Sequence, residues 1–235
     1  MTSVIIPWRP TPSRRPAFET VSAWYRRHLP GATIVPVDSD DEIFNLSRCR
    51  NIGIATIADP AEVVVISDAD TFPEPAPLAA AIAAAAGSGR VHLPYTEYRW
   101  LGEAGTAQLL TGAPATDCAH EVVVGARSGV YVTTPATWWA HGGQDERFRG
   151  WGFEDTAWWI AHETLLGEPV RHPGRVFAMH HVTQRREGEQ YDRNAELAGR
   201  YRAASGDPAA MRELVFAEGA AAESAANARS APGRA

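Results

Sequence analysis

The feature of this sequence that most constrains its fold is the alternation of hydrophobic and helical segments in its first third. Residues 4–6, 33–37 and 63–66 have the length and the Val/Ile-rich composition of buried strands. Residues 17–29 and 47–58 lie between them and have the spacing or composition of helices. A βαβαβ order with short connections predicts a parallel sheet that is covered by helices on both faces.

Two carboxylates follow the third predicted strand, in the segment Asp68-Ala69-Asp70. Side chains at positions i and i+2 of an extended backbone project to the same side. Two hard oxygen ligands at one point suit Mg²⁺ or Mn²⁺, and these ions usually share their coordination with substrate phosphates. Such a pair also occurs by chance in acidic loops, so its meaning depends on the rest of the site.

The first two predicted strands also end in residues that could contact a nucleotide. Sheets of this kind bind ligands beyond the carboxyl ends of their strands. Pro7, Trp8 and Arg9 follow the first strand, and Asp38 follows the second. An arginine can pair with a diphosphate and a tryptophan can stack on a base, although Arg9 could equally be an ordinary surface residue.

The second half of the chain is less regular. It predicts helices over 77–86, 135–140 and 154–166 and strands over 90–93, 122–124, 129–132 and 176–179. From residue 203 the chain is alanine-rich and polar, and from about residue 220 we expect disorder. The length favours one domain over residues 1–205, followed by a helical or disordered tail over 206–235.

The composition excludes several classes of function. A net charge of −6 and a pI near 5.8 argue against bulk binding of nucleic acid. Cys49 and Cys118 form neither a disulfide framework nor a metal-binding spacing, so we expect reduced thiols. No apolar run approaches the roughly 18 residues of a membrane span, and the start shows no signal peptide. We therefore expect a cytoplasmic protein.

Two further motifs, residues 44–53 and 150–155, complete a resemblance to a known family. The segment 44–53 includes Phe44, and the segment 150–155 places Trp151 between two glycines and before two acids. Taken alone, the acids could simply complement the dipole of a helix N-terminus. Together with residues 5–9, 67–70, 128–130 and 179–181, and in the same order, these motifs resemble the β-1,4-galactosyltransferases, over roughly residues 3–195.

The resemblance implies a GT-A fold, which is a Rossmann-like α/β fold with a mostly parallel central sheet flanked by helices. Residues 1–75 would bind the nucleotide and residues 76–205 would form the acceptor and catalytic half. The implied reaction is the transfer of a sugar from a nucleotide-sugar, most simply a UDP-sugar, to a hydroxyl group. Mn²⁺ or Mg²⁺ is the implied cofactor, in the soluble bacterial or phage form of the family.

The resemblance also implies individual roles. Asp155 would be the general base of an inverting reaction, and Glu154 would orient a sugar. Asp70 and His181 would bind the metal, with His180 as the fallback and Asp68 acting through a water. The residues implied to bind the nucleotide-sugar are Pro7, Trp8, Arg9, Asp38, Phe44, Asp68, Gly129, Trp151 and Gly152.

Three positions depart from the family pattern, and the acceptor stays open. Leu46 replaces an arginine that contacts the nucleotide, Phe153 replaces a glycine beside the acceptor, and Thr156 replaces a third acid. The family's membrane anchor and stem are not seen. The acceptor could be a glycan, a lipid-linked sugar, a small molecule or a protein hydroxyl.

Three different functions remain compatible with the sequence. A nucleotidyltransferase acting on sugar phosphates would also use paired aspartates and a metal, but it would release pyrophosphate. No glycine-rich phosphate loop with a basic residue supports it. A retaining glycosyltransferase of related fold is the second of these functions, and a catalytically dead carbohydrate-binding protein is the third.

Overall fold

The computed structural model describes residues 2–182 and 187–216. Its strands, in chain order, are β1 (Ser3–Pro7), β2 (Thr33–Val37), β3 (Val64–Ser67), β4 (Thr71–Pro73), β5 (His92–Leu93), β6 (Glu97–Trp100), β7 (Glu121–Val123), β8 (Val130–Thr133), β9 (Val170–Arg171) and β10 (Arg175–Ala178). Its helices are α1 (Arg15–His28), α2 (Leu46–Ala55), α3 (Pro75–Ser88), α4 (Gly102–Leu110), α5 (Pro135–Ala140), α6 (Glu154–Leu166) and α7 (Glu189–Ala203).

The central sheet has six strands in the order β2-β1-β3-β8-β5-β9. Three of its five pairings are parallel, and only β8 runs against its neighbours. The carboxyl ends of the other five strands and the amino end of β8 therefore share one edge of the sheet. This topology confirms the predicted α/β fold class, and sheets of this kind bind ligands at that edge.

A smaller sheet, in the order β4-β10-β6-β7, stands beside the central one. It continues from the central sheet almost directly, because β4 begins four residues after the end of β3. The pairing of Ala178 with Thr71 brings the end of β10 back to the start of β4. Residues that follow β10 are thereby carried to the loop between β3 and β4.

Helix α2 lies very close to β1 because of a glycine. A Cβ atom at Gly53 would be 2.3 Å from Cγ2 of Ile5, so a larger residue would push the helix off the sheet. Arg50 and Asn51 lie on the same helix, and both are buried. The close approach therefore holds two polar side chains inside the protein.

A second apolar cluster joins α6, α7 and the helical residues 208–216. Phe148, Tyr201 and Met211 are among its buried members. The tail predicted over 206–235 thus begins with a packed helix, and residues 217–235 lie outside the described range. Within the described residues, no helix is long and apolar enough to cross a membrane.

Candidate active site

The loop between β3 and β4 is fixed against the amino end of β8. The Asp68 amide donates a hydrogen bond of 2.8 Å to the carbonyl of Gly129. Gly129 has φ +99°, and a Cβ atom there would be 3.0 Å from the Thr71 side chain and 3.2 Å from the Tyr98 ring. Glycine is needed both for this conformation and for this close approach. Gly129 therefore helps to fix the loop that carries Asp68 and Asp70.

His181 lies directly beside Asp70. Its Nδ1 atom is 2.6 Å from Asp70 Oδ2, and both side chains are mostly buried. The Met179 amide donates to the Asp70 carbonyl at 2.8 Å, which holds the end of β10 at this loop. His180 turns the other way, and its Nε2 atom lies 3.5 Å from Glu103 on α4.

The pair formed by Asp70 and His181 suits a divalent metal. Although Nδ1 of His181 is close to the carboxylate, it is buried and makes no aligned hydrogen bond with any described residue. A carboxylate oxygen and an imidazole nitrogen meeting at one point form a mixed donor set that suits Mn²⁺. Among residues 2–182 and 187–216, no group of three or more His, Cys, Asp or Glu could hold a metal. Further ligands would have to come from substrate or water.

The positively charged Arg14 lies beside this pair. Burial raises the pKa of Asp70, but the contact with His181 and the charge of Arg14 outweigh it and lower that pKa. The Arg14 guanidinium is 3.2 Å from Nε2 of His181. An anion bound beside Asp70 would lie close to both Arg14 and His181. No sequence pattern pointed to Arg14, because its position just before α1 is ordinary for an exposed arginine.

The fully buried Arg50 joins the aspartate loop to α6. Its Nη2 atom donates to Asp68 Oδ1 at 2.5 Å, and its Nη1 atom donates to Asp155 Oδ1 at 3.2 Å and to Gln144 at 2.8 Å. Its guanidinium also lies over the Tyr131 ring, 5.0 Å from the centroid. Burial lowers the pKa of Arg50, but the neighbouring acids raise it far more, so Arg50 stays a cation.

One oxygen of Asp155 receives two hydrogen bonds. In addition to Arg50, the Tyr131 hydroxyl donates to Asp155 Oδ1 at 3.0 Å. Oδ2 accepts no hydrogen bond from any residue within the described ranges. The carboxylate is therefore fixed by one oxygen, and the other is left for a ligand.

The neighbouring acids have shifted proton affinities. Burial and the adjacent charge of Asp155 raise the pKa of Glu154 to about 8, so Glu154 is mainly protonated at neutral pH. Burial also raises the pKa of Asp68, and Arg50 counteracts only part of that rise. The site thus combines the neutral acid Glu154 with the carboxylate of Asp155, which Arg50 holds. Such a division of roles between two acids is typical of catalytic centres.

Two asparagines of the segment 44–53 support this arrangement through hydrogen bonds within the protein. Asn45 caps α2 by accepting from the Arg48 amide at 3.0 Å. Asn51 accepts from the Gln144 amide and donates to the Gln144 carbonyl, at 3.0 and 2.7 Å. Asn51 therefore positions the loop that brings Gln144 to Arg50.

The residues after β1 and β2 contact each other. Arg9 binds both carboxylate oxygens of Asp38, with its Nη2 atom 2.6 Å from Oδ1, and this hydrogen bonding lowers the pKa of Asp38. Arg9 also lies over the Phe44 ring, 5.4 Å from the centroid. Trp8 stacks on Phe18 at 4.3 Å, so one face of its indole ring is covered. The register that pairs Pro7 with Val37 produces the Arg9–Asp38 pair.

The loop before α6 turns through left-handed backbone. Gly150, Gly152 and Phe153 have φ angles of +68°, +108° and +75°. The Trp151 ring lies nearly parallel to that of Tyr191 on α7, with centroids 6.5 Å apart. This turn places Glu154 and Asp155 in the first turn of α6. Phe153 carries a conformation that glycine, the residue of the resembled family, adopts without strain.

Besides Arg14, three residues of the candidate site were not predicted from the sequence: Arg50, Tyr131 and Gln144. A signal for Arg50 was present, because Ser47, Arg50, Asn51 and Ile54 follow the i, i+3, i+4, i+7 spacing of a buried helix face. Polar residues on such a face indicate a buried polar network. Tyr131 and Gln144 carry no local signal of this kind.

Comparison with known proteins supports the fold. No protein-family model matches the sequence, and no curated protein matches it. The catalytic domain of Drosophila β1,4-galactosyltransferase 7 in complex with xylobiose matches with a TM-score of 0.54 at 14% identity, over 83% of this chain and 79% of that chain.

Two other glycosyltransferase structures match with lower scores. A mutant of the Drosophila enzyme in complex with manganese, UDP-Gal and xylobiose has a TM-score of 0.47 at 14% identity, over 73% of this chain and 64% of that chain. GalNAc-T7 with UDP, GalNAc and Mn²⁺ has a TM-score of 0.48 at 14% identity, over 84% of this chain and 48% of that chain. The chain therefore spans less than two thirds of the length of these two structures. The match above 0.5 confirms the GT-A glycosyltransferase fold.

Proposed function

We propose that the protein is a metal-dependent glycosyltransferase that moves a sugar from a UDP-sugar to a hydroxyl acceptor with inversion at the anomeric carbon. The observation that carries the proposal is the bridge that Arg50 makes between Asp68 and Asp155. It joins the loop that carries Asp70, which His181 contacts, to a carboxylate whose Oδ2 atom accepts no hydrogen bond from the described residues. The GT-A fold supports the same conclusion, and the order of the motifs supports a relation to the β-1,4-galactosyltransferases.

The donor would lie at the carboxyl edge of the central sheet. Asp70 and His181 would hold Mn²⁺ or Mg²⁺, and Asp68 would act through a water or at the ribose. The ion, when bound, neutralises the charge that develops on the departing diphosphate. Arg14 lies next to His181 and would add a second positive charge there. The paired side chains of Arg9 and Asp38 and the half-buried Trp8 would contact the nucleoside.

Asp155 would take the proton of the acceptor hydroxyl. Arg50 and Tyr131 occupy Oδ1, so Oδ2 is the oxygen that would receive the proton as the hydroxyl attacks the anomeric carbon. A positioned base contributes roughly 10²–10⁴-fold to rate. The attack comes from the face opposite the diphosphate, which inverts the anomeric centre.

Glu154 and Trp151 would orient the sugars. A protonated Glu154 can donate a hydrogen bond to a sugar hydroxyl, which a carboxylate cannot do. Trp151 lies at the entrance to α6 and offers an aromatic ring to the apolar face of a sugar.

A UDP-release screen tests the proposal. Purified protein is incubated with a panel of UDP-sugars and Mn²⁺, with and without EDTA, and released UDP and pyrophosphate are measured separately. We expect UDP release from at least one donor, loss of that release with EDTA and in Asp70→Asn, and no loss in the control Asp192→Asn on the exposed side of α7. Absence of UDP release from every donor, or release of pyrophosphate, would contradict it.

A further inference from the structure

Two arginines stand on the acceptor side of the same sheet edge without an acidic partner. The guanidinium groups of Arg127 and Arg171 lie over the Trp159 ring, 5.3 and 5.0 Å from its centroid. Arg171 also lies over the Tyr95 ring at 5.3 Å and donates to the Ala126 carbonyl at 2.6 Å. Both side chains are half-buried, and neither forms an ion pair with any acid of residues 2–182 or 187–216.

Arginine side chains are mostly exposed in proteins, and taking part of a charge out of water is costly when no opposite charge replaces the solvent. The other guanidinium groups near the proposed site each contact an acidic or imidazole side chain: Arg9 pairs with Asp38, Arg50 with two acids, and Arg14 with His181. Stacking on an aromatic ring stabilises an arginine but leaves its N–H donors available for an oxyanion.

The arginine pair is placed next to the proposed base. Trp159 follows Asp155 by four residues on α6, so the two side chains are about one helical turn, roughly 6 Å, apart along one face. Arg171 ends β9, and Arg127 precedes β8 at the edge where Asp68 follows β3. Tyr95 joins the two regions, and its hydroxyl donates to the Ser128 carbonyl at 2.6 Å. Burial raises the pKa of Tyr95; the charge of Arg171 lowers this pKa and that of Asp155 raises it.

We propose that Arg127 and Arg171 form an anion-binding subsite for the acceptor, which is therefore a small molecule with a phosphate or carboxylate group as well as the reacting hydroxyl. The identification of the bound molecule as the acceptor rests on the proposed function. Binding of an anion at the subsite can be measured without turnover. An oxyanion of the acceptor takes hydrogen bonds from N–H groups of the two arginines, and the hydroxyl of the same molecule reaches Oδ2 of Asp155.

The test is a calorimetric titration of the protein in the presence of UDP and Mn²⁺, which cover the donor half. Glucose 6-phosphate and glucuronate are the anionic probes, and glucose is the neutral control. We expect an anionic probe to bind at least about 10-fold more tightly than glucose, which is the size of one charge-assisted hydrogen bond. We expect the Arg127→Gln/Arg171→Gln variant to lose this preference. Equal binding of anionic and neutral probes would overturn the proposal.

Two further variants distinguish loss of the subsite from a general effect of charge or folding. Arg127→Lys/Arg171→Lys keeps both charges and should retain most of the preference for an anion, even if stacking on Trp159 weakens. Arg193→Gln removes an exposed arginine that pairs with Glu189 on α7, and should bind the probes like the unchanged protein. If Arg193→Gln loses as much affinity as the double glutamine variant, the effect is general charge and the subsite does not exist. Failure of the UDP-release screen alongside an intact anion preference would refute the proposed function and leave the subsite standing.

Discussion

Replacement of Arg50 by methionine tests the network that joins the two halves of the site. Methionine fills much of the volume of the arginine stem but removes the cation that Asp68 and Asp155 share. Removing one partner of a buried ion pair costs roughly 3–5 kcal/mol. Because the side chains of Asp68 and Asp155 keep 21% and 26% of their exposure, we expect the lower end of that range.

The loss of stability should depend on pH in a defined direction. Without Arg50 the two carboxylates repel each other, so at least one has a folded-state pKa above its unfolded value of about 4. A raised carboxylate pKa costs stability above the unfolded pKa, and this cost disappears as pH falls through the folded pKa. The difference in unfolding free energy between Arg50→Met and the unchanged protein should therefore shrink from pH 7.5 to pH 5.

Urea denaturation at both pH values, combined with transfer kinetics, checks this prediction. We expect kcat to fall about 10²-fold or more because Asp155 loses one of its two fixed donors, whereas the affinity for UDP with Mn²⁺ changes less. Arg50→Lys is the matched control. A single ammonium group cannot bind both acids as the forked guanidinium does, so the losses of stability and of kcat in this variant should be intermediate. A stability difference that is equal at both pH values, or unchanged kcat in Arg50→Met, would refute the reasoning.

Three further predictions concern the metal, the neutral acid and the loop. Mn²⁺ with UDP should raise the melting temperature of the unchanged protein and of His180→Ala but not that of His181→Ala, since only His181 lies beside Asp70; equal shifts in both variants would contradict the assignment. Because the raised pKa of Glu154 means that the folded state binds a proton that the unfolded state has lost, stability should fall as pH rises from about 4.5 to 8, and Glu154→Gln should flatten that fall in denaturation curves. Gly129→Ala should lower stability by about 1 kcal/mol or more and weaken Mn²⁺ binding, because the left-handed φ and the 3.0 Å approach to Thr71 both oppose a Cβ; an unchanged melting temperature would show that the loop adapts freely.

The sequence was sufficient for the parts of the fold that have strong local patterns. The three strands and two helices of the first third are hydrophobic or periodic enough to be read directly, and the strand ends placed Arg9, Asp38 and Asp68 at one edge. Strand β5 lies within the strand predicted over 90–93, whereas β9 was not predicted, since its two residues are too few for any periodicity. Strands β4 and β6 depend on their pairing with β10, which the sequence does not show, and α7 packs against α6.

The site was predictable by residue type but not by contact. The sequence favours His181 with His180 as the fallback, because neighbouring residues point in different directions and only the pairing of β10 with β4 decides which one meets Asp70. Arg9 and Asp38 are predicted to bind the nucleotide-sugar, but only the register of β1 and β2 shows that they pair with each other. Arg50 was not predicted, because it bridges positions 18 and 105 residues away along the chain.

The most direct test of the central claim is the transfer rate of Asp155→Asn, measured with the donor and acceptor that the screens identify. If Asp155 is the base, kcat should fall by roughly 10²–10⁴-fold while the affinity for UDP with Mn²⁺ stays within about threefold. The product of the unchanged protein should have the inverted anomeric configuration by NMR. An Asp155→Asn variant that keeps full transfer activity would contradict the account.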